Sequence, residues 1–195
     1  MTAVQSPAAR PSFVRAANIP NLICVLRMAL VWPIVDALVT ARYELALLLI
    51  AIAGLSDGLD GFLAKRFNWR SRLGGILDPL ADKLLLVSAF VTLTWTALVP
   101  PWLTAVVIAR DVLIIGGGLV YQAVVAPLQP EPSRVSKLNT GAQLLFICAI
   151  VANRGFGLPP AEVLIPSGAA VLVTSTVSGL DYVMRWSGKA ARSHR

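Results

Sequence analysis

Six stretches of mostly apolar residues, near 20–39, 44–64, 77–98, 102–124, 138–156 and 162–184, fill most of this 195-residue chain. They constrain its fold more than any other feature. A hydrocarbon core about 30 Å thick takes roughly 20 apolar residues per helix, so the pattern predicts an all-α polytopic membrane protein with six transmembrane helices and room for one domain. Composition agrees. The chain is 56% hydrophobic and 14% charged, with a mean hydropathy of +0.73, far from a soluble average of about 25% charged residues.

Lysine and arginine in short loops mark the cytoplasmic side. Arg10 and Arg15 precede the first stretch, and Lys65, Arg66, Arg70 and Arg72 join the second to the third. Arg134 and Lys137 join the fourth to the fifth, and Arg185, Lys189, Arg192 and Arg195 follow the last. The opposite loops hold Arg42 and Arg154, offset by Glu44 and Glu162. Both termini are therefore predicted to be cytoplasmic. The net charge of +7 is spread over these membrane flanks, which points to orientation and anionic lipid headgroups rather than nucleic acid. The first 19 residues lack an apolar core followed by a cleavage site, so no signal peptide is expected. Cys24 and Cys148 fall in separate stretches and read as small buried hydrophobes.

Against this apolar background stand Asp57, Asp60, Asp78 and Asp82. An ionised carboxylate in a membrane segment is costly and usually faces a cavity where it has a function. Spacings of three and four place each pair along one face of a helix. Both pairs lie near the end shared by the second and third stretches, hence near the cytoplasmic membrane face. Like charges so close need a cation between them, and an all-oxygen set suits a hard ion such as Mg²⁺ or Mn²⁺; the one histidine, His194, is in the tail. Two alternatives compete with a metal site. An ion-pair network with Lys83, Arg66 or Arg110 would offset the charge but leaves the spacing unexplained. An ion-coupled transporter would use such carboxylates as relays, yet no matching set occurs near the other face.

Residues 57–82 read D-x-x-D-G-x-x-A-K-x8-G-x3-D-x3-D, which resembles the signature of the CDP-alcohol phosphatidyltransferases. Lys65 departs from it, since that family usually has arginine there, and Arg66 is placed to share the role. Asn18-Ile-Pro-Asn21 with Arg27, Arg110-Asp111 and Lys137-Leu-Asn-Thr140 extend the resemblance over almost the whole chain. It implies a single membrane domain over 1–195, with 1–19 a cytoplasmic N-terminal segment and 186–195 a cytoplasmic basic tail. It also implies a homodimer, and a cavity holding two divalent ions on Asp57, Asp60, Asp78 and Asp82. The implied reaction moves a phosphatidyl group from CDP-diacylglycerol to an alcohol with release of CMP, Asp82 acting also as general base. Gly61, Ala64, Lys65 and Gly74 would meet the CDP donor; small residues there also suit tight helix packing.

Arg110, Lys137 and Arg66 are candidates for an acceptor or lipid phosphate, although Arg110 and Asp111, adjacent on a helix, need not neutralise each other. Arg27 would meet a lipid phosphate or snorkel to the interface. Ser136, Asn139 and Thr140 would line the acceptor pocket or cap the fifth helix. The later segments, 98–114 and 135–143, look most like the cardiolipin synthases of this family, whose acceptor is phosphatidylglycerol. Enzymes using glycerol 3-phosphate come next, because residues 112–120 lack the further arginine often found there in those enzymes and a dianionic acceptor wants more fixed positive charge, and inositol or serine acceptors come third. Length favours a bacterial cytoplasmic membrane.

Overall fold

The structure, a computed structural model, describes residues 19–67, 74–124 and 134–193, with side-chain surroundings for 24–56, 58, 80–117 and 135–185. Among them the backbone forms six helices and no strand: α1 Ile19–Val39, α2 Tyr43–Phe67, α3 Gly74–Trp95, α4 Pro101–Val124, α5 Arg134–Phe156 and α6 Ala161–Ser193. Sequence and structure agree on each helix but differ at several ends. α3 starts and stops three residues earlier than expected, α5 begins at Arg134 rather than 138, and α6 continues to Ser193 rather than 184. Hydropathy marks the apolar part of a segment, whereas backbone hydrogen bonding continues into polar residues such as Arg134-Val-Ser-Lys137.

The helix ends follow local chemistry. Pro101 opens α4, where its missing N–H costs nothing. Glu44 and Glu162 sit in the first turns of α2 and α6, and Arg154 in the last turn of α5, each complementing the helix dipole. α1 and α3 close alike: the Arg42 amide donates to the Ala37 carbonyl at 2.8 Å, and the Leu98 amide to the Leu93 carbonyl, also at 2.8 Å. This closure places Ala41 (φ 55°) and Ala97 (φ 58°) in the left-handed region, where glycine is the ordinary occupant. Ala97→Gly is accordingly expected to stabilise the protein by about 0.5–1 kcal/mol, read as a rise in unfolding temperature in detergent; an unchanged or lower temperature would contradict this.

α1 packs on both α2 and α3, while α4 and α5 pack on α6; α2 against α5 and α3 against α4 and α5 join the two groups. Val31, Ile34 and Leu38 of α1, Phe90 and Leu93 of α3, Val107 of α4, Phe146 and Ile150 of α5 and Val171 of α6 share one buried cluster. The Phe90 and Phe146 rings stack with centroids 6.2 Å apart. α6 approaches α5 through Gly168, where an added Cβ would stand 3.3 Å from the Phe146 ring. Outward faces are apolar too: Trp32, Ile165, Leu145 and Leu55 are 70% or more exposed. Such a surface suits lipid rather than water. Val135–Phe156 and Ala161–Arg185 are each long and apolar enough to cross a membrane.

Where the surroundings are as apolar as the core, apolar contact alone discriminates weakly between helix pairings, and polar contacts gain weight. The Thr94 and Thr104 hydroxyls meet at 2.6 Å between α3 and α4. A far larger polar set lies between α3, α4, α5 and α6.

Candidate active site

The C-terminal end of α2 carries Asp57 and Asp60 one turn apart, and the N-terminal half of α3 carries Asp78 and Asp82 one turn apart. Both helices pack on α1, and six residues of sequence separate the end of α2 at Phe67 from the start of α3 at Gly74. The side chains of Asp57, Asp60, Gly61, Ala64, Lys65, Arg66, Gly74 and Asp78 lie outside the described residues, as do 1–18, 125–133 and the last two residues.

Asp82 is described. Its side chain is 41% exposed, and its Oδ1 accepts a hydrogen bond from Arg27 Nη1 at 2.6 Å. Arg27 is 2% exposed, so it does not snorkel. It stays within the bundle, where it puts a fixed positive charge against α3. The contact spans 55 positions of sequence and exists because α1 packs along α3.

The next residue, Lys83, turns the other way and pairs with Asp111 of α4. Arg110 donates to the same Asp111 oxygen from Nη1 at 2.6 Å, so the adjacent pair does neutralise itself. Arg110 also donates from Nη2 to the Ser136 and Ser178 hydroxyls, each at 2.6 Å. Lys83 and Arg110 therefore serve Asp111, and among the described residues neither makes an ion pair with Asp82, the one candidate aspartate whose side chain is described. Arg110, expected at an acceptor phosphate, is 5% exposed and commits its donors to α4, α5 and α6.

Deeper along α5, Asn139 and Gln143 are fully buried. The Ser175 hydroxyl donates to Asn139 Oδ1 at 2.9 Å, and Gln143 Nε2 donates to the Ser175 oxygen at 3.4 Å. Thr174 also donates to Asn139 Oδ1, at 2.9 Å. Within this set of described residues, three buried atoms have no hydrogen-bond partner: Asp111 Oδ2, Asn139 Nδ2 and Gln143 Oε1. Of the residues expected to line a pocket or cap α5, Ser136 holds Arg110, Asn139 holds α6, Thr140 bonds back to the Ser136 carbonyl, and Lys137 is exposed. Sequence reading missed Gln143, Thr174, Ser175 and Ser178. Their signal was polar residues recurring at helical spacing within apolar stretches, at 136, 139, 140 and 143 and at 174, 175 and 178.

Cys24 is buried and Cys148 half-buried. A cavity of about 710 Å³ opens at the α3–α4 turn between Trp95 and Pro101, at the end away from the aspartates. It contains none of the candidate site residues.

A half-exposed carboxylate backed by a buried guanidinium, on a helix bearing a second aspartate one turn away, is suited to hold a hard cation and to accept a proton. The candidate aspartates offer carboxylate oxygens, the donor type that suits a divalent ion of the Mg²⁺ class. The chain is 37% identical over 146 residues to a probable cardiolipin synthase (CMP-forming) of Drosophila melanogaster, covering 67% of this chain and 45% of that protein. It is 34% identical over 163 residues to the human cardiolipin synthase (CMP-forming), covering 75% and 54%. A probable phosphatidylglycerophosphate synthase of Mycobacterium tuberculosis is 30% identical over 177 residues, covering 88% and 82%. The chain thus spans about half the length of the two animal proteins. The match to the CDP-alcohol phosphatidyltransferase description runs over residues 17–180, from the start of α1 through most of α6 and including all four aspartates, and the chain belongs to that family.

Proposed function

We propose that this protein is a six-span membrane enzyme, one domain over 1–195, that moves the phosphatidyl group of CDP-diacylglycerol to phosphatidylglycerol with release of CMP. Both termini and the aspartate cluster face the cytoplasm of a bacterial inner membrane, and the chain works as a homodimer. Asp57, Asp60, Asp78 and Asp82 hold two Mg²⁺ or Mn²⁺ ions, whose charge would offset that of the phosphoryl oxygens and of the departing CMP. Gly61, Ala64 and Gly74 leave room for the nucleotide, and Lys65 meets a phosphate of the donor. Asp82 takes the proton of the acceptor hydroxyl. In this scheme the acceptor oxygen forms the new phosphoester bond as the bond to CMP breaks, and the proton leaves through Asp82.

The observation that favours a lipid acceptor is the state of Arg110. Its charge is offset by Asp111 and its donors are shared among Asp111, Ser136 and Ser178. A dianionic soluble acceptor calls for uncommitted cations, whereas a phosphodiester needs fewer. Lys137, exposed at the start of α5, and Arg66 meet the acceptor phosphate, and Arg110 supports that edge from behind through Ser136. The second reading, glycerol 3-phosphate as acceptor, is favoured by the similarity to the phosphatidylglycerophosphate synthase, which reaches 82% of that protein's length.

The two are separated by offering purified protein CDP-diacylglycerol with phosphatidylglycerol, glycerol 3-phosphate, inositol or serine and identifying products by mass. Cardiolipin formed with phosphatidylglycerol is the expected result; phosphatidylglycerophosphate formed in its place would transfer the assignment to the second reading.

A further inference from the structure

We infer that Arg27 is a positioning residue for Asp82, fixing the carboxylate that the proposed chemistry uses both as a metal ligand and as a base. This rests on the reading of Asp82 given above. Three observations carry it. The pair is short, with Arg27 Nη1 2.6 Å from Asp82 Oδ1. It is also asymmetric, since Arg27 is 2% exposed while Asp82 is 41% exposed. The guanidinium is therefore part of the bundle interior, and the partly exposed carboxylate is held against it.

The third observation is what happens one residue on. Lys83 pairs with Asp111 on α4, which is itself held by Arg110. Residues 82 and 83 leave α3 about 100° apart on its circumference, and each is tied to a different neighbouring helix. Two ion pairs in two directions fix the rotation of α3 about its own axis, and with it the bearing of Asp82. An arginine suits the Asp82 contact better than a lysine, because a planar fork defines a direction and an ammonium does not. Partners that orient metal-binding groups in this way typically change metal affinity or activity about 10–100-fold when removed.

The test uses the full chain in detergent, with Arg27→Met, Arg27→Lys and, as reference, Asp82→Asn. Mn²⁺ affinity is measured by paramagnetic titration, alongside CMP release and unfolding temperature. Arg27→Met is expected to weaken Mn²⁺ binding and to lower kcat, each about 10–100-fold. Arg27→Lys, which keeps the charge and preserves folding, is expected to recover only part of both. If Arg27 merely offset negative charge, its removal would tighten Mn²⁺ binding and the lysine variant would match the unaltered protein. Either result overturns the inference, and the lysine variant alone suffices should the methionine variant fail to fold. The Asp82→Asn reference separates this from failure of the underlying reading. Mn²⁺ binding that Asp82→Asn leaves unchanged would remove the ligand role of Asp82 and the inference together. Mn²⁺ binding that depends on Asp82 but is indifferent to both Arg27 variants would remove the inference alone.

Discussion

Asp82→Asn is expected to leave a folded, membrane-inserted protein whose CMP release falls by about 10²–10⁴-fold, the range of a lost general base. Folding survives because the asparagine oxygen still accepts from Arg27, now 2.6 Å from Asp82 Oδ1, so the buried guanidinium loses its counter-charge but keeps a hydrogen-bond partner, unlike an arginine left facing an apolar side chain. Turnover does not survive, because an amide neither accepts the acceptor's proton nor matches a carboxylate as a cation ligand. The measurement is initial CMP release at saturating CDP-diacylglycerol, with thermal unfolding as the control for folding. Full activity in a folded Asp82→Asn protein would remove Asp82 from the mechanism.

Asp111→Leu should instead act on stability. It strips the anion from Arg110, which is 5% exposed, and from the partly buried Lys83. Breaking a buried pair by deleting one partner costs about 3–5 kcal/mol, because the remaining charge keeps its desolvation penalty. Lys83, 26% exposed, has a route to water along its stem, so most of the cost falls on Arg110. The double variant Arg110→Met with Asp111→Leu is expected to regain most of the lost stability, since a buried ion pair exchanged for apolar side chains of similar volume is often close to neutral. Denaturant unfolding in detergent checks both statements. A double variant no more stable than Asp111→Leu would show that Arg110 holds the fold through Ser136 and Ser178 more than through its charge partner. Kinetics on the same pair test the acceptor edge. If Arg110 supports it from behind, the stable double variant should show a raised KM for the acceptor while the KM for CDP-diacylglycerol stays near its original value.

The sequence made the helices legible because roughly twenty apolar residues is a length set by the bilayer, not by the chain. Ends were less legible where the hydropathy signal faded before the helix did, as at Arg134–Lys137 and beyond Met184. The four aspartates were legible because carboxylates at spacings of three and four are conspicuous in an apolar chain. Their cationic neighbours were not. Arg27 lies 55 positions from Asp82, and Lys83 lies 28 from Asp111. Nothing local assigns Arg27 to Asp82 rather than to a lipid phosphate until α1 is laid along α3.

Adjacent charges misled in a related way. Arg110 and Asp111 leave a helix in different directions, yet the long arginine stem bends its guanidinium back to Asp111 Oδ1 at 2.6 Å. Asn139 gave its position but not its role. At the start of an apolar helix it reads as a cap or a pocket wall, and only the packing of α6 shows it engaged with Thr174 and Ser175. Polar side chains at helical spacing on two apolar stretches, 136, 139 and 143 against 174, 175 and 178, are better read as a pair of facing seams than as separate features.

Whether the four carboxylates serve a metal-dependent phosphatidyl transfer is decided by CMP release in sealed vesicles. The purified chain is reconstituted with CDP-diacylglycerol, phosphatidylglycerol and Mg²⁺, and CMP, lipid products and ion flux are followed together, with and without a chelator. The expected result is CMP released mole for mole with new phosphodiester lipid, stopped by chelation, with no flux coupled to it. Ion flux that depends on the aspartates, with no CMP released for any acceptor, would contradict phosphatidyl transfer and turn the cluster into a transport pathway.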